Sequence, residues 1–366
     1  MNFYEAPIML ESTRVARTYR GGLLLERWLG LPAPADGRLP EDWLASDTPA
    51  VNGFHSDVPE EGLSVFITDG RPLTLKDAVS RRPDEMLGKA HVRAFGSSLT
   101  ILAKMLDAAE RLTIQIHPDK RMAKDLFQSD YGKTECWYIA DTRDINGEPP
   151  YVLLGFREGM SERRFRALFE AEKYDEMVGG MVRLPVGKGE VYLIDALMPH
   201  AIGGGALILE IQEPTDLTLR AERSTPSGLR IGDELCHLGV GYDKMFARIN
   251  YQGFTEQEVR RRFQIRPVTV ASGDGFREDI LIGPSRTDCF SMRRLTVSET
   301  CPYRNTADRF VIAAALSGEG VLRHGGREIP ILPGNRLFLP ACVKETAFTA
   351  RGAGALVLVL CFPRAL

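Results

Sequence analysis

Short apolar runs separated by glycine and proline turns recur along this chain, at residues 99–106, 112–117, 136–140, 151–155, 190–194, 206–212 and 217–220. Runs of that length suit β-strands, and 35 Gly and 22 Pro supply the turn residues between them. Strands alternating with helices would need longer segments of helical period. The pattern therefore predicts a mainly β fold, a sandwich or barrel rather than βα repeats. Two stretches read as helices inserted on that scaffold. Residues 74–87 start on a capping Thr and carry mixed charge. Residues 161–177 open Ser-Glu-Arg-Arg, with Glu162 in the first turn and Phe165, Leu168, Phe169 and Tyr174 spaced for one broad apolar face.

A second β-rich unit follows, with strand-like runs at 309–315, 317–324, 331–340 and 355–362. The polar, charged residues 256–263 read as a connector or short helix, so the expected division is 1–255 and 256–366. The two halves are loosely similar, because Gly189 and Gly334 each stand at a turn entering a strand. That similarity points to two related double-sheet barrels with short helical insertions.

Charge excludes several function classes. With 46 Lys and Arg against 49 Asp and Glu, the net charge of −3 gives no electrostatic case for nucleic acid or an anionic membrane. No apolar run approaches the roughly 18 residues that span a bilayer. The first twenty residues contain Glu5, Glu11, Arg14, Arg17 and Arg20 and no apolar block, unlike a secretory signal. The six cysteines are scattered, without the spacing of a disulfide framework or a CxxC pair, and read as reduced, mostly buried thiols. A cytoplasmic enzyme or small-molecule-binding protein is expected, with the oligomeric state left open.

The residues that can carry chemistry cluster in two short strands. In Leu112-Thr113-Ile114-Gln115-Ile116-His117 the alternation puts Thr113, Gln115 and His117 on one face. In Gly132-Lys133-Thr134-Glu135 the same rule aligns Lys133 with Glu135. An amide oxygen, an imidazole and a carboxylate aimed at one point, with an ammonium beside them, form a plausible metal shell. His200, after a strand and a tight connection, is the candidate fourth ligand. His55, His91, His237 and His324 lack comparable partners and read as structural. Farther on, Asp216, Thr218 and Arg220 share a strand face. The pair Asp216–Arg220 reads either as an exposed edge contact worth little, or as a guanidinium aimed at an anion at the mouth of the metal site. Lys133 has the same two readings.

These segments resemble one known family, the type I phosphomannose isomerases, zinc enzymes of the cupin superfamily, with the shorter bacterial branch most similar. Residues 112–120 follow the family's Leu-Ser-(Ile/Val)-Gln-x-His-Pro-Asp segment, with Thr113 in the Ser position. Gly132-Lys133-Thr134-Glu135-Cys136-Trp137-Tyr138 repeats a family motif letter for letter. Gly189 stands eleven residues before His200-Ala201, and Asp216 four before Arg220, as family members show. Tyr19-Arg20-Gly21-Gly22 and Asp42-Trp43-Leu44-Ala45-Ser46 resemble altered forms of two earlier family segments. The resemblance implies two cupin-type jelly-roll barrels, and one Zn2+ per chain held by Gln115, His117, Glu135 and His200. It implies Lys133, Asp216 and Arg220 as catalytic groups, and Thr113 and Lys120 as substrate contacts. The second barrel lacks clustered ligands and is expected to be metal-free. Asp195-Ala196-Leu197-Met198-Pro199 and the stretch after Arg220 depart from the family pattern, which leaves the sugar open.

The implied reaction interconverts mannose 6-phosphate and fructose 6-phosphate, or another aldose and ketose, by moving a proton between C1 and C2 through an enediol(ate). Neutral Gln115 and two imidazoles leave one carboxylate in the shell, so a zinc site there keeps net positive charge toward an anionic intermediate. The group that takes the carbon proton stays open among Asp216, Lys133 and a metal-bound water. Two rivals remain. His117, His200 and Glu135 also form the two-His-one-carboxylate set of non-haem iron oxygenases, against which Gln115 takes up a position that oxygen would need. A non-catalytic sugar-binding cupin needs neither Lys133 nor Arg220.

Overall fold

The computed structural model describes residues 3–52 and 60–365; His55 lies outside them. Its predicted strands pair as antiparallel ladders. Glu135–Thr142 runs between Val191–Ile194 and Ala206–Gln212, and Leu102–Asp107, Glu41–Ala45 and Arg14–Val15 extend the sheet to one side, Gln264–Ile265 to the other. Facing it, five strands run in the order Met181–Pro185, Tyr151–Phe156, His200–Ile202, Gln115–Ile116 and Leu219–Arg220. Trp137, Ile139, Tyr192, Ile208, Val152 and Leu154 fill the space between these sheets.

A second pair of sheets repeats the plan. A seven-stranded sheet, centred on Val311–Ser317 and Leu356–Pro363, faces four strands from Thr300–Arg304 to Arg327–Ile331. Its interior is packed with Leu295, Val311, Leu322, Phe348 and Leu358. The fold is thus mainly β and of cupin type. The first described strand, Ile8–Leu10, crosses over and pairs with Arg336–Leu339 of this second barrel.

The largest core lies between the barrels. Met105, Cys136, Tyr138, Leu193 and Leu209 on the outer face of the first sheet meet Phe290, Met292, Ile312, Phe338 and Val359 of the second. This double burial explains why Ala206–Gln212 is apolar almost throughout and buried at every position. One of its faces points into a barrel and the other against the neighbouring barrel.

The helical insertions form, but in pieces. Thr74 caps Leu75–Arg81, accepting from Asp77 N. Pro83 then forces Arg82 out of helical geometry, to φ −143 and ψ 67, and a second short helix runs Pro83–Leu87. Ser161 caps Glu162–Glu170 as its sequence predicts. The chain leaves helical geometry at Glu172, φ 52, before Tyr174–Gly179. Residues 256–263 are a helix started by a capping box between Thr255 and Glu258. The strands expected over 112–117 and 217–220 shrink to Gln115–Ile116 and Leu219–Arg220. All six cysteines are free thiols, five of them buried. Among the described residues no helix is long and apolar enough to cross a membrane.

Candidate metal centre

Register brings the predicted ligands together. Gln115 is paired across the ladder with His200 on one side and Arg220 on the other, while Glu135 opens the strand opposite Ile194 and Gln212. The Gly132-Lys133 turn lies tightly against the residues that follow His117. Lys133 N donates to Pro118 O, and a Cβ on Gly132 would stand 2.7 Å from that same oxygen. Close backbone approach of this kind admits only glycine.

His117, Glu135 and His200 are at most 1% exposed. Each imidazole is held at Nδ1 by a backbone carbonyl, that of Leu217 at 3.0 Å for His117 and that of Met198 at 2.8 Å for His200. Donating from Nδ1 leaves each Nε2 as an acceptor and fixes the ring planes. The two Nε2 atoms are 3.2 Å apart, and Glu135 oxygens stand 3.2 Å from one and 3.3 Å from the other. A tetrahedral zinc with bonds near 2.0 Å needs ligand–ligand edges of about 3.3 Å. The edge between the imidazoles matches, while each imidazole meets a different Glu135 oxygen, and one ligand atom from each residue lies within 4.8 Å of the others. Burial, and then Lys133, hold the His117 imidazole down at about 3, which keeps it neutral and able to ligate. Burial alone would raise Glu135, yet Lys133 and His117 pull it well below the usual carboxylate range. Lys133 donates to Glu135 Oε2 at 2.9 Å and stands 2.8 Å from His117 Nε2. Its ammonium and a metal therefore compete for one lone pair.

Beside this cluster, one cavity is lined by Thr113, Gln115, Lys133, Asp216, Thr218 and Arg220, and also by Arg17, Glu41, Lys104 and Glu210. The Gln115 side chain lines the cavity and makes no hydrogen bond among the described residues, so its amide oxygen can serve as a further ligand. Arg220 spends one nitrogen on the carbonyls of Thr218 and Leu235. No carboxylate stands within ion-pair distance of it among the described residues, so the rest of its guanidinium is available to an anion. Asp216 is instead gripped at both oxygens by Arg17, at 3.0 and 3.1 Å. Burial would raise its carboxyl, but Arg17 outweighs that and lowers it. Thr113 lies in the cavity wall. Lys120 does not; it starts the helix Lys120–Phe127, and its ammonium is 3.6 Å from Glu213 beside neighbouring grooves.

Sequence reading missed Arg17, Glu41, Lys104 and Glu210. Lys104 and Glu210 had left a signal, since each is a lone charge inside an apolar strand; they meet at 3.2 Å. Burial, then the charge of Glu135, push the Glu210 carboxyl up to about 7 against the pull of Lys104. Arg17 and Glu41 left none, because their partners lie elsewhere in the chain. Of the remaining histidines, His91 packs on Phe95 and Phe310, His237 on Tyr242, and His324 bridges the carbonyls of Glu5 and Glu345.

Fold and site together define a two-barrel cupin with a buried two-His-one-Glu cluster that could hold a metal ion. The family model for the phosphomannose isomerase type I catalytic domain matches residues 53–140, and that for the mannose-6-phosphate isomerase cupin domain matches 281–361. The chain is 25% identical to a mannose-6-phosphate isomerase of Streptococcus mutans over 273 residues, 73% of this chain and 77% of that one. It is 27% identical to a probable mannose-6-phosphate isomerase of Bacillus subtilis, GmuF, over 73% of this chain and 78% of the relative. In fold it superposes on the mannose 6-phosphate isomerase structure from Bacillus subtilis with a TM-score of 0.74 at 21% identity, covering 97% and 99% of the two chains. A zinc-bound mannose 6-phosphate isomerase gives 0.71 at 18%, covering 98% of this chain and 100% of that one. Through both domain models and these relatives, the chain is similar to the type I phosphomannose isomerases.

Proposed function

We propose that this chain is a zinc-dependent isomerase interconverting mannose 6-phosphate and fructose 6-phosphate through an enediol(ate), acting in the cytoplasm with one zinc per chain. One observation carries the reading: the buried three-ligand set lies behind Lys133, which bonds to Glu135 and lines the same cavity as Arg220, a guanidinium with no paired carboxylate among the described residues. A metal that is purely structural needs no such neighbour. The names of the relatives and the zinc in a solved isomerase of the same fold support the choice of reaction and metal.

His117, Glu135 and His200 would hold the ion, with Gln115 beside them, and bound there it would polarise the sugar carbonyl as a Lewis acid. Arg220 holds the phosphate or the oxyanion that develops as the carbon proton leaves. Lys133 donates to a sugar oxygen. For the proton itself the cavity offers Glu210, whose carboxyl is pushed up to about 7 although Lys104 Nζ stands 3.2 Å from its Oε1. It takes the proton from one carbon and returns it to the next. Asp216, held ionised by Arg17, is a weaker base, and we assign it to binding sugar hydroxyls with Thr113. Residues 1–255 supply all these groups; we assign 256–366 the part of a supporting barrel.

The test is a panel of hexose and pentose phosphates and free sugars, assayed with zinc restored, beside His117→Ala. The expected result is turnover of mannose 6-phosphate by the parent, with zinc and turnover both lost in the variant. Full activity in a metal-free variant overturns the metal assignment, and turnover of another sugar alone overturns the substrate.

A further inference from the structure

Arg17 is the most heavily engaged side chain in the cavity wall. It lies just after the strand Arg14–Val15 and is 6% exposed. Two of its nitrogens grip Asp216, its Nε meets Glu41 Oε2 at 3.0 Å, and Nη1 reaches Asn52 Oδ1 at 3.3 Å. Its guanidinium also stacks over Trp43, 5.4 Å from the ring centre. Glu41 lies on the strand Glu41–Ala45 and Asp216 in the connection between Ala206–Gln212 and Leu219–Arg220, and both line the cavity. Each carboxylate has other donors: Tyr19 and Trp43 on Glu41, and Val51 N on Asp216. Arg17 is the group that joins the two. Because it is spent on these carboxylates, it is not the cavity's anion receptor; Arg220 is.

We propose that Arg17 is a positioning residue for sugar recognition. It pins Glu41, on a strand, and Asp216, in a connecting loop, as fixed acceptors in the cavity wall for the hydroxyls of the sugar. This rests on the isomerase reading above. Acceptors on hydroxyls remote from the reacting carbons bind ground state and transition state alike, so losing them raises KM rather than lowering kcat. Only a planar fork can hold Asp216 at both oxygens and still reach Glu41.

The test compares the parent, Arg17→Lys and Arg17→Met in the zinc-loaded full chain. Losing hydrogen bonds to charged groups of this kind corresponds to roughly a ten- to hundredfold change. Arg17→Met is expected to raise KM by that factor, with kcat and zinc content near the parent's. Arg17→Lys, which can hold only one of the two carboxylates, falls in between. Its crystal structure is expected to show Asp216 or Glu41 displaced. An unchanged KM, a fall confined to kcat, or carboxylates unmoved in the crystal overturns the inference. A parent inert on every sugar phosphate overturns the isomerase reading instead, and the carboxylate positions still decide on Arg17. If Arg17→Met does not fold, Arg17→Lys carries the same comparison.

Discussion

Each charged side chain in the cavity is set apart by its partners. Arg220 hydrogen-bonds to carbonyls, and no carboxylate pairs with it directly among the described residues, which leaves guanidinium nitrogens for a phosphate or oxyanion. Arg220→Ala should keep its zinc, because that side chain makes no hydrogen bond or ion pair with a proposed ligand among the described residues, yet lose roughly a hundredfold or more in turnover. Metal analysis beside steady-state kinetics checks this, and an unchanged rate would show the arginine to be a bystander. Glu210 differs from its neighbours in the opposite sense. Glu41, although buried, is held at about 2 by Arg17 and Lys104, whereas Glu210 is pushed up to about 7. A base must be ionised, so a raised carboxyl works above its pKa and fails as pH falls through it. kcat/KM is expected to drop on the acid side of about 7 in the parent. In Glu210→Gln the rate should be low and that limb absent. Persistence of the limb in the variant assigns the proton transfer to another group.

At the scale of strands and turns, the centre depends on two segments touching. Gly132 lies against Pro118 and Lys120, and a Cβ there would come within 2.9 Å of Lys120 N as well as 2.7 Å of Pro118 O. Gly132→Ala should therefore push Glu135 away from His117, weakening zinc retention against a chelator and costing about 1–3 kcal/mol in stability. Zinc binding and unfolding equal to the parent's would show that the contact can relax. Period-two alternation made Gln115, His117, Lys133 and Glu135 legible in the sequence, because strand geometry fixes which side chains share a face. Helix caps at Thr74 and Ser161 were legible for a similar local reason. What alternation could not give was extent. The strand predicted over 112–117 keeps regular ladder pairing only at Gln115–Ile116, with single bonds at Leu112, Ile114 and His117 beyond it, since ladder length depends on partners from distant segments. The break at Arg82 needed only Pro83, a local signal that the apolar spacing overrode. Arg17 and Glu41 were invisible because their meaning comes from Asp216, 199 residues from Arg17.

Over the whole molecule, two barrels share their largest core, which sets how the chain must fold. The outer face of the first seven-stranded sheet has no water-facing pattern, because the second barrel covers it. Polar ties reinforce the contact. Arg336 of the second barrel, 4% exposed, bonds Asp42 of the first at 2.6 Å, and Trp28 Nε1 donates to Ala315 O at 2.8 Å. The strand Ile8–Leu10, at the start of the chain, completes the edge of the second barrel's sheet. A chain ending at residue 255 would expose Met105, Tyr138, Leu193 and Leu209 together, leave Asp42 without Arg336, and strand Ile8–Leu10 without its ladder. Buried charges stripped of partners and apolar faces of that extent are costly. The expected outcome is one cooperative thermal transition for the full chain, followed by near-ultraviolet circular dichroism and by zinc release alike. The 1–255 fragment should lack that near-ultraviolet signal and fail to retain zinc. Two well-separated transitions, or a fragment that holds zinc and unfolds cooperatively, would show instead that the first barrel folds alone and that the second merely docks onto it.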